Sequence, residues 1–336
     1  MKPAKKTHYG VVVPMVTPVT AEGALDELAV ARIVDFLVAG GAHGVFVLGT
    51  TGEAPSVPAA MRNRLVELAT QCSGGRIKVY AGISDNSLTD SVDAGNQYLK
   101  LGVDALVAHV PSYFAVHPED SLIYFNELSD RLHGDLILYN MPMTTNVSIP
   151  IAVCKETSRK RGVIGIKDSE NNADRMTELL RELGGHESYS VFVGTGPLMA
   201  KGLLAGADGI VPSAGNLVPG LCRKMYDCAT NGGHDKVEAL HQQFMKISSV
   251  YQKGRSLPQS LSALKGAMTW LGLCGPDVFP PLKATNAAQR LTLRQDLAEL
   301  GVPVKNIDDH ANQTSHRANP GRPGGHRPGV VPADAH

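Results

Sequence analysis

The chain has 336 residues, 43% of them hydrophobic, and its 32 Lys plus Arg balance its 32 Asp plus Glu. Zero net charge argues against nucleic acid or a membrane surface as the main partner, because both need a surplus of Lys and Arg. The apolar content excludes disorder of the whole chain. Five cysteines (Cys72, Cys154, Cys222, Cys228 and Cys274) are widely spread and form no C-x-x-C. Neither a disulfide framework nor a structural zinc site is expected, and a reducing compartment fits better.

At the N-terminus Lys2, Lys5 and Lys6 precede an apolar stretch from Val11 to Val19. It superficially resembles a secretory leader, but Pro14 and Pro18 break the run and no A-x-A-like site follows. No segment approaches about 18 uninterrupted apolar residues, so no transmembrane helix is expected and a cytoplasmic location is.

Eight short runs rich in Val, Ile and Leu then recur along the chain. They begin at Gly10, Gly44, Lys78, Asp104, Leu136, Val163, Ser190 and Gly209. Each is apolar throughout, as parallel strands buried on both faces are. Helical spacing fills the gaps: Leu28, Ile33, Phe36 and Leu37 share a face in Asp26 to Ala39, and Leu122, Phe125, Leu128 and Leu132 do so in Asp120 to Leu132. Gly-Gly pairs at 40–41, 74–75 and 184–185 suit helix ends.

Eight such units over residues 1–230 predict an α/β fold, a (β/α)8 TIM barrel. A doubly wound sheet is the alternative, without its usual G-x-G-x-x-G after the first strand. Helical stretches within 231–305 predict an added C-terminal helical layer. Residues 306–336 hold four Pro, four Gly, four His and no aromatic residue, which predicts a disordered tail. Its histidines His310, His316, His326 and His336 are irregularly spaced, as in a solvated tail.

In such a barrel, chemistry sits where strands end. The second strand runs into Gly49-Thr50-Thr51-Gly52-Glu53, the fifth ends at Tyr139-Asn140, and the sixth at Lys167. A lysine at a barrel mouth is partly desolvated; desolvation disfavours the ammonium form, and a neutral amine attacks carbonyls to form a Schiff base. The alternative is a solvent-facing Lys167 paired with Asp168. The Thr50-Thr51 turn suits a carboxylate or phosphate, or is an ordinary loop. Tyr139 either relays a proton or is simply packed. The candidates for metal ligation, His43 and His109, stand apart in sequence.

As a set, Gly49-Thr-Thr-Gly-Glu53, Tyr139-Asn-Met-Pro142, Gly165-Ile-Lys-Asp168 and Gly206-Ala-Asp-Gly209 resemble the family of dihydrodipicolinate synthase and N-acetylneuraminate lyase, over about residues 8 to 300. The resemblance implies a Schiff-base-forming pyruvate aldolase or lyase with no metal or organic cofactor. It assigns the imine to Lys167 and acid–base work to Tyr139, and places the 2-oxo acid's carboxylate on Thr50 and Thr51. Thr51 is expected to link Tyr139 to Tyr113, which in the family reaches into a neighbouring subunit's site. Val211 falls where a backbone carbonyl lies near the imine, and Ser213 where some members contact the variable half of the substrate. A homotetramer, a dimer of dimers, is implied.

Two positions depart from the family. Thr144 stands where the synthase branch has an arginine for its aldehyde substrate's carboxylate, and Gly194-Thr-Gly-Pro197 replaces the acidic pair of the sialic acid branch. Losing a bidentate guanidinium removes a strong, oriented contact. The favoured substrate is therefore a 4-hydroxy-2-oxo acid or a 2-oxo-3-deoxy sugar acid. The alternatives are the synthase, N-acetylneuraminate lyase, and a non-catalytic relative that binds a 2-oxo acid.

Overall fold

The computed structural model describes residues 6–114 and 116–305. The predicted tail at 306–336, with its four histidines, lies outside the described residues. The first half of the chain runs β1 (Gly10–Pro14), α1 (Glu27–Ala39), β2 (Gly44–Val47), α2 (Ala59–Ser73), β3 (Lys78–Gly82), α3 (Leu88–Lys100), β4 (Ala105–Ala108) and α4 (Ser121–Arg131). It continues through β5 (Leu136–Asn140), α5 (Pro142–Thr145), α6 (Ile151–Thr157), β6 (Val163–Asp168), α7 (Ala173–Leu183), β7 (Ser190–Val193), α8 (Met199–Leu204), β8 (Gly209–Ile210) and α9 (Pro219–Thr230). Three more helices follow: α10 (His234–Gln252), α11 (Leu257–Met268) and α12 (Ala287–Glu299).

The eight strands are parallel and pair in sequence order, and β1 also pairs with β8, which closes a barrel. A doubly wound open sheet is thereby ruled out. Alternation along each strand sorts side chains into two cores. Val12, Phe46, Tyr80, Val107, Ile137 and Phe192 fill the interior. Val11, Val13, Val45, Leu106, Leu136 and Leu138 face the helices. Both faces are buried, which is why the strands read as unbroken apolar runs.

Helix starts follow local chemistry. Asp26 caps α1 by accepting from the Ala29 amide, worth about 1 kcal/mol, and Asn286 with Gln289 forms a capping box on α12. One expectation fails in α1: Leu28 is 74% exposed, and the buried face is Ala29, Val30, Ile33, Val34 and Leu37. Ile33 and Leu37 of the expected face are buried and Phe36 packs against the core, so the departure is confined to Leu28, in the first turn.

Helix α10 packs on α8 and α9, and α11 lies against α10 and α12. The layer they form leans over one side of the barrel mouth and contributes to the cavity described next. Among the described residues, no helix is long and apolar enough to cross a membrane.

Candidate active site

On β6 the alternation sends Ile166 outward to the helices, so Gly165 and Lys167 point into the barrel. Lys167 is 6% exposed. Its Nζ lies over the Tyr139 ring at 3.8 Å from the centroid and 5.0 Å from that of Phe46. Tyr139 reaches the same layer from β5, and Phe46 meets its ring edge-on at 6.3 Å. The amine is thus held between two aromatic faces, a setting that attracts a cation and orients the side chain.

Asp168, one residue on, points the opposite way. It pairs with Arg175 Nε at 2.8 Å and accepts from Asn140 Nδ2 at 3.1 Å and the Glu170 amide at 2.9 Å. The alternative of a solvent-facing Lys167 paired with Asp168 is therefore not what the fold contains. Burial raises the Asp168 carboxyl above the usual range, and Arg175 offsets only part of that. Glu170 joins the network through Ser148 Oγ at 2.6 Å and Asn140 Nδ2 at 3.2 Å. The network lies behind β5 and β6 and ties together the strand ends that carry Tyr139 and Lys167.

The Tyr139 hydroxyl lies 3.2 Å from Thr50 Oγ1. The threonine that meets Tyr139 within this chain is thus Thr50. Burial pushes the phenol up, but the charge of Lys167 and the Thr50 hydrogen bond outweigh it and hold Tyr139 below the ordinary tyrosine range. A phenol tuned downward gives up its proton more readily, as an acid–base group must.

Thr50 and Thr51 belong to a tight turn. Gly52 and Ala54 donate to the Gly49 carbonyl, and Glu53 to that of Thr50. Among the described residues no backbone carbonyl accepts from the Thr50 or Thr51 amide. Both threonines line the cavity that Lys167 also lines. That grouping suits a carboxylate.

The cavity measures about 340 Å³ and extends from Lys167 to α10 and α11. Val211 and Ser213 line it. Ser213 Oγ lies 2.7 Å from the Tyr251 hydroxyl, which accepts from Gln252 Nε2 at 3.1 Å. Burial pushes Tyr251 up to about 12, so the Ser213–Tyr251–Gln252 part of this wall is polar and uncharged, with the Arg255 guanidinium beside it. Gly194 closes the near side: a Cβ there would strike Ser169 Oγ and come within 3.0 Å of Lys167 Cε.

One expected residue, Thr144, sits elsewhere. Thr144 does not line the cavity; its hydroxyl donates back to the Met141 carbonyl at 3.2 Å, three residues earlier, while Met143 takes the place on the wall. Tyr113 is 79% exposed, stacked edge-on with Phe114 at 5.2 Å, and does not line this chain's cavity. Sequence reasoning also missed cavity residues: Ser169, two positions past the lysine, and Tyr251, Gln252 and Arg255 at the junction of α10 and α11. The histidines lie apart as expected: His43 Nδ1 accepts from the Val11 amide, and His109 is paired with the Val110 carbonyl at 2.7 Å and meets Tyr139 edge-on at 6.0 Å.

With this geometry in place, comparison with known proteins is informative. Residues 7–300 match the model of the Dihydrodipicolinate synthetase family. An uncharacterized DapA-like lyase of Thermofilum pendens is 28% identical, over 88% of this chain and 98% of the relative. The dihydrodipicolinate synthase structure from Bacteroides thetaiotaomicron superposes with a TM-score of 0.83 at 31% identity, covering 89% of this chain and all (100%) of that one. A prophage protein of the dihydrodipicolinic acid synthase family from E. coli K12, solved in complex with pyruvate, gives a TM-score of 0.83 at 25% identity, covering 88% of this chain and 100% of that one.

Proposed function

The chain belongs to the dihydrodipicolinate synthetase family and is a lyase, and from that premise we propose that Lys167 forms an imine with a 2-oxo acid and that the enzyme cleaves a 4-hydroxy-2-oxo acid or a 2-oxo-3-deoxy sugar acid to pyruvate and an aldehyde, or joins them. The observation that carries this reading is one amine, nearly shut off from water, against the ring of a tyrosine whose hydroxyl meets a threonine.

The steps follow from the groups. The Lys167 amine attacks the keto carbon, and Tyr139 passes protons so that the oxygen leaves as water. The protonated imine draws electrons from the C3–C4 bond. Cleavage moves the C4 hydroxyl proton to a base, releases the aldehyde and leaves an enamine. Protonation at C3 and hydrolysis then free pyruvate and the amine. The imine nitrogen is the electron sink, so no metal or organic cofactor has a step to perform. Thr50 and Thr51 hold the carboxylate, the Val211 carbonyl lies by the imine, and Ser213 with Tyr251 and Gln252 faces the aldehyde half.

The uncharged hydroxyl and amide groups of Ser213, Tyr251 and Gln252 support a hydroxylated partner, and Thr144, turned into its own helix, supplies nothing to grip a carboxylate. A second reading, condensation of pyruvate with aspartate semialdehyde as in the synthase branch, draws on Arg255, which lines the cavity from the α10–α11 junction. Its Nη1 donates to the Val250 carbonyl at 2.9 Å, so the guanidinium already serves the end of α10. A substrate panel separates the two. Pyruvate release from a hydroxylated 2-oxo acid is expected; robust condensation of aspartate semialdehyde with no such release would reverse the ranking.

The proposal includes a homotetramer, a dimer of dimers, in which Tyr113 reaches the neighbouring subunit's site; the exposed Tyr113–Phe114 pair supports it. A cytoplasmic location accords with five free cysteines.

A further inference from the structure

The Thr50–Thr51 turn is tethered to the C-terminal helices by a buried charge pair. Glu53, the last residue of the turn, sits in the left-handed region at φ 55°, unusual for a non-glycine residue. Its Oε1 accepts from Lys265 Nζ of α11 at 2.8 Å, and its Oε2 accepts from the Phe279 amide at 2.8 Å. The two side chains are 0% and 1% exposed. One residue earlier, the Gly52 carbonyl accepts from Thr17 Oγ1 at 2.6 Å. Neither Glu53 nor Lys265 lines the cavity, so the pair does not touch the substrate.

Burying two charges together brings less stability than burying two apolar side chains of the same size. A pair kept at this cost does something other than fill space. What it does here is geometric: both oxygens of Glu53 are anchored by residues more than 200 positions away, and the backbone that carries them is the backbone of the turn. We propose that Glu53 and Lys265 are positioning residues that set the Thr50 and Thr51 amides and hydroxyls for the substrate carboxylate. The C-terminal layer thereby governs binding of the 2-oxo acid; the inference rests on the proposed role of the turn.

The test is the double variant Glu53→Gln/Lys265→Met, which removes both charges together and leaves an acceptor for the Phe279 amide. Two readouts are taken on full-length protein. The first is the pyruvate concentration that gives half-maximal borohydride trapping, expected to rise about tenfold or more while the extent of trapping at saturating pyruvate stays the same, because a displaced turn weakens placement of the carboxylate and not the amine. The second is hydrogen exchange in residues 49–54 without substrate, expected to quicken. Should the double variant fail to fold, Glu53→Asp keeps the charge but shortens the tether, and the same two shifts are expected. A folded variant with unchanged half-saturation and unchanged exchange overturns the inference. A wild-type protein that traps no pyruvate overturns the proposed function instead, and the exchange measurement still decides the tether.

Discussion

Lys167 Nζ stands 3.8 Å from the centre of the Tyr139 ring, and the two residues are register partners on adjacent strands β5 and β6. Their proximity is set by the sheet and not by a flexible loop, which is how a barrel places reacting groups within tight tolerances. The tyrosine's own partner, Thr50, comes from the far side of the mouth. Removing the phenol while keeping the ring therefore isolates proton transfer. Tyr139→Phe should slow turnover by about 100-fold or more. Thr50→Val, which removes the hydroxyl that meets Tyr139 and is assigned to the carboxylate, should cost about tenfold. Steady-state rates with pyruvate release as the readout check both, and Thr50→Val matching Thr51→Val in every parameter would remove the special role of Thr50.

Gly194 is the near wall of the amine. Gly194→Ala would press a methyl group between Ser169 Oγ and Lys167 Cε, displacing the lysine from its aromatic cradle. Imine formation should fall by about 100-fold, as a displacement of about 1 Å at a reacting group costs, with the thermal midpoint lowered far less. Stopped-flow imine formation is the check; an unchanged rate would mean that the cradle does not set reactivity.

Much of this was legible in the residues. The strands could be read because both faces are buried, but the inward direction of Lys167 could not: Val163, four residues earlier, faces the helices, and a register shift within β6 turns Lys167 inward. Which threonine meets Tyr139 could not be read. Leu48, at φ 57°, breaks strand geometry just before the turn, so alternation no longer says where Thr50 and Thr51 point. The Arg175 counterion of Asp168 lies a helix turn and a loop away, and nothing in the local pattern of α7 marks it as buried. Tyr251, Arg255 and Lys265 reach the site region only because α10 and α11 lean on the barrel mouth, a tertiary fact without local signature.

The Asp168–Arg175 pair is a stability element behind the site. Both side chains are about nine-tenths buried. Asp168→Ala leaves the guanidinium with only Glu170, 3.4 Å away, and should destabilise the fold by about 3 kcal/mol. Denaturant unfolding measures this; a loss below about 1 kcal/mol would show that Glu170 suffices as counterion.

Two buried histidines predict how stability depends on pH. His8 and His109 are both held below the ordinary value of 6.5, chiefly by burial, with the charge of Lys78 adding to the effect at His8 and that of Lys167 at His109. As pH falls through 6.5 the unfolded chain takes up protons at these positions before the folded chain does. Their contribution is thus fully present above 6.5 and is lost as pH falls through the lowered folded values. The thermal midpoint should drop between about pH 7 and about pH 5, and less so in His8→Asn/His109→Asn. A double variant with the same slope as wild type would place the acid sensitivity elsewhere.

The central claim is that Lys167 is the covalent nucleophile. Borohydride reduction in the presence of pyruvate, followed by peptide mass spectrometry, tests it directly. The account predicts one reduced pyruvate adduct, on Lys167 alone, absent from Lys167→Arg. An adduct on another lysine, or none in a protein that still turns over, would contradict it.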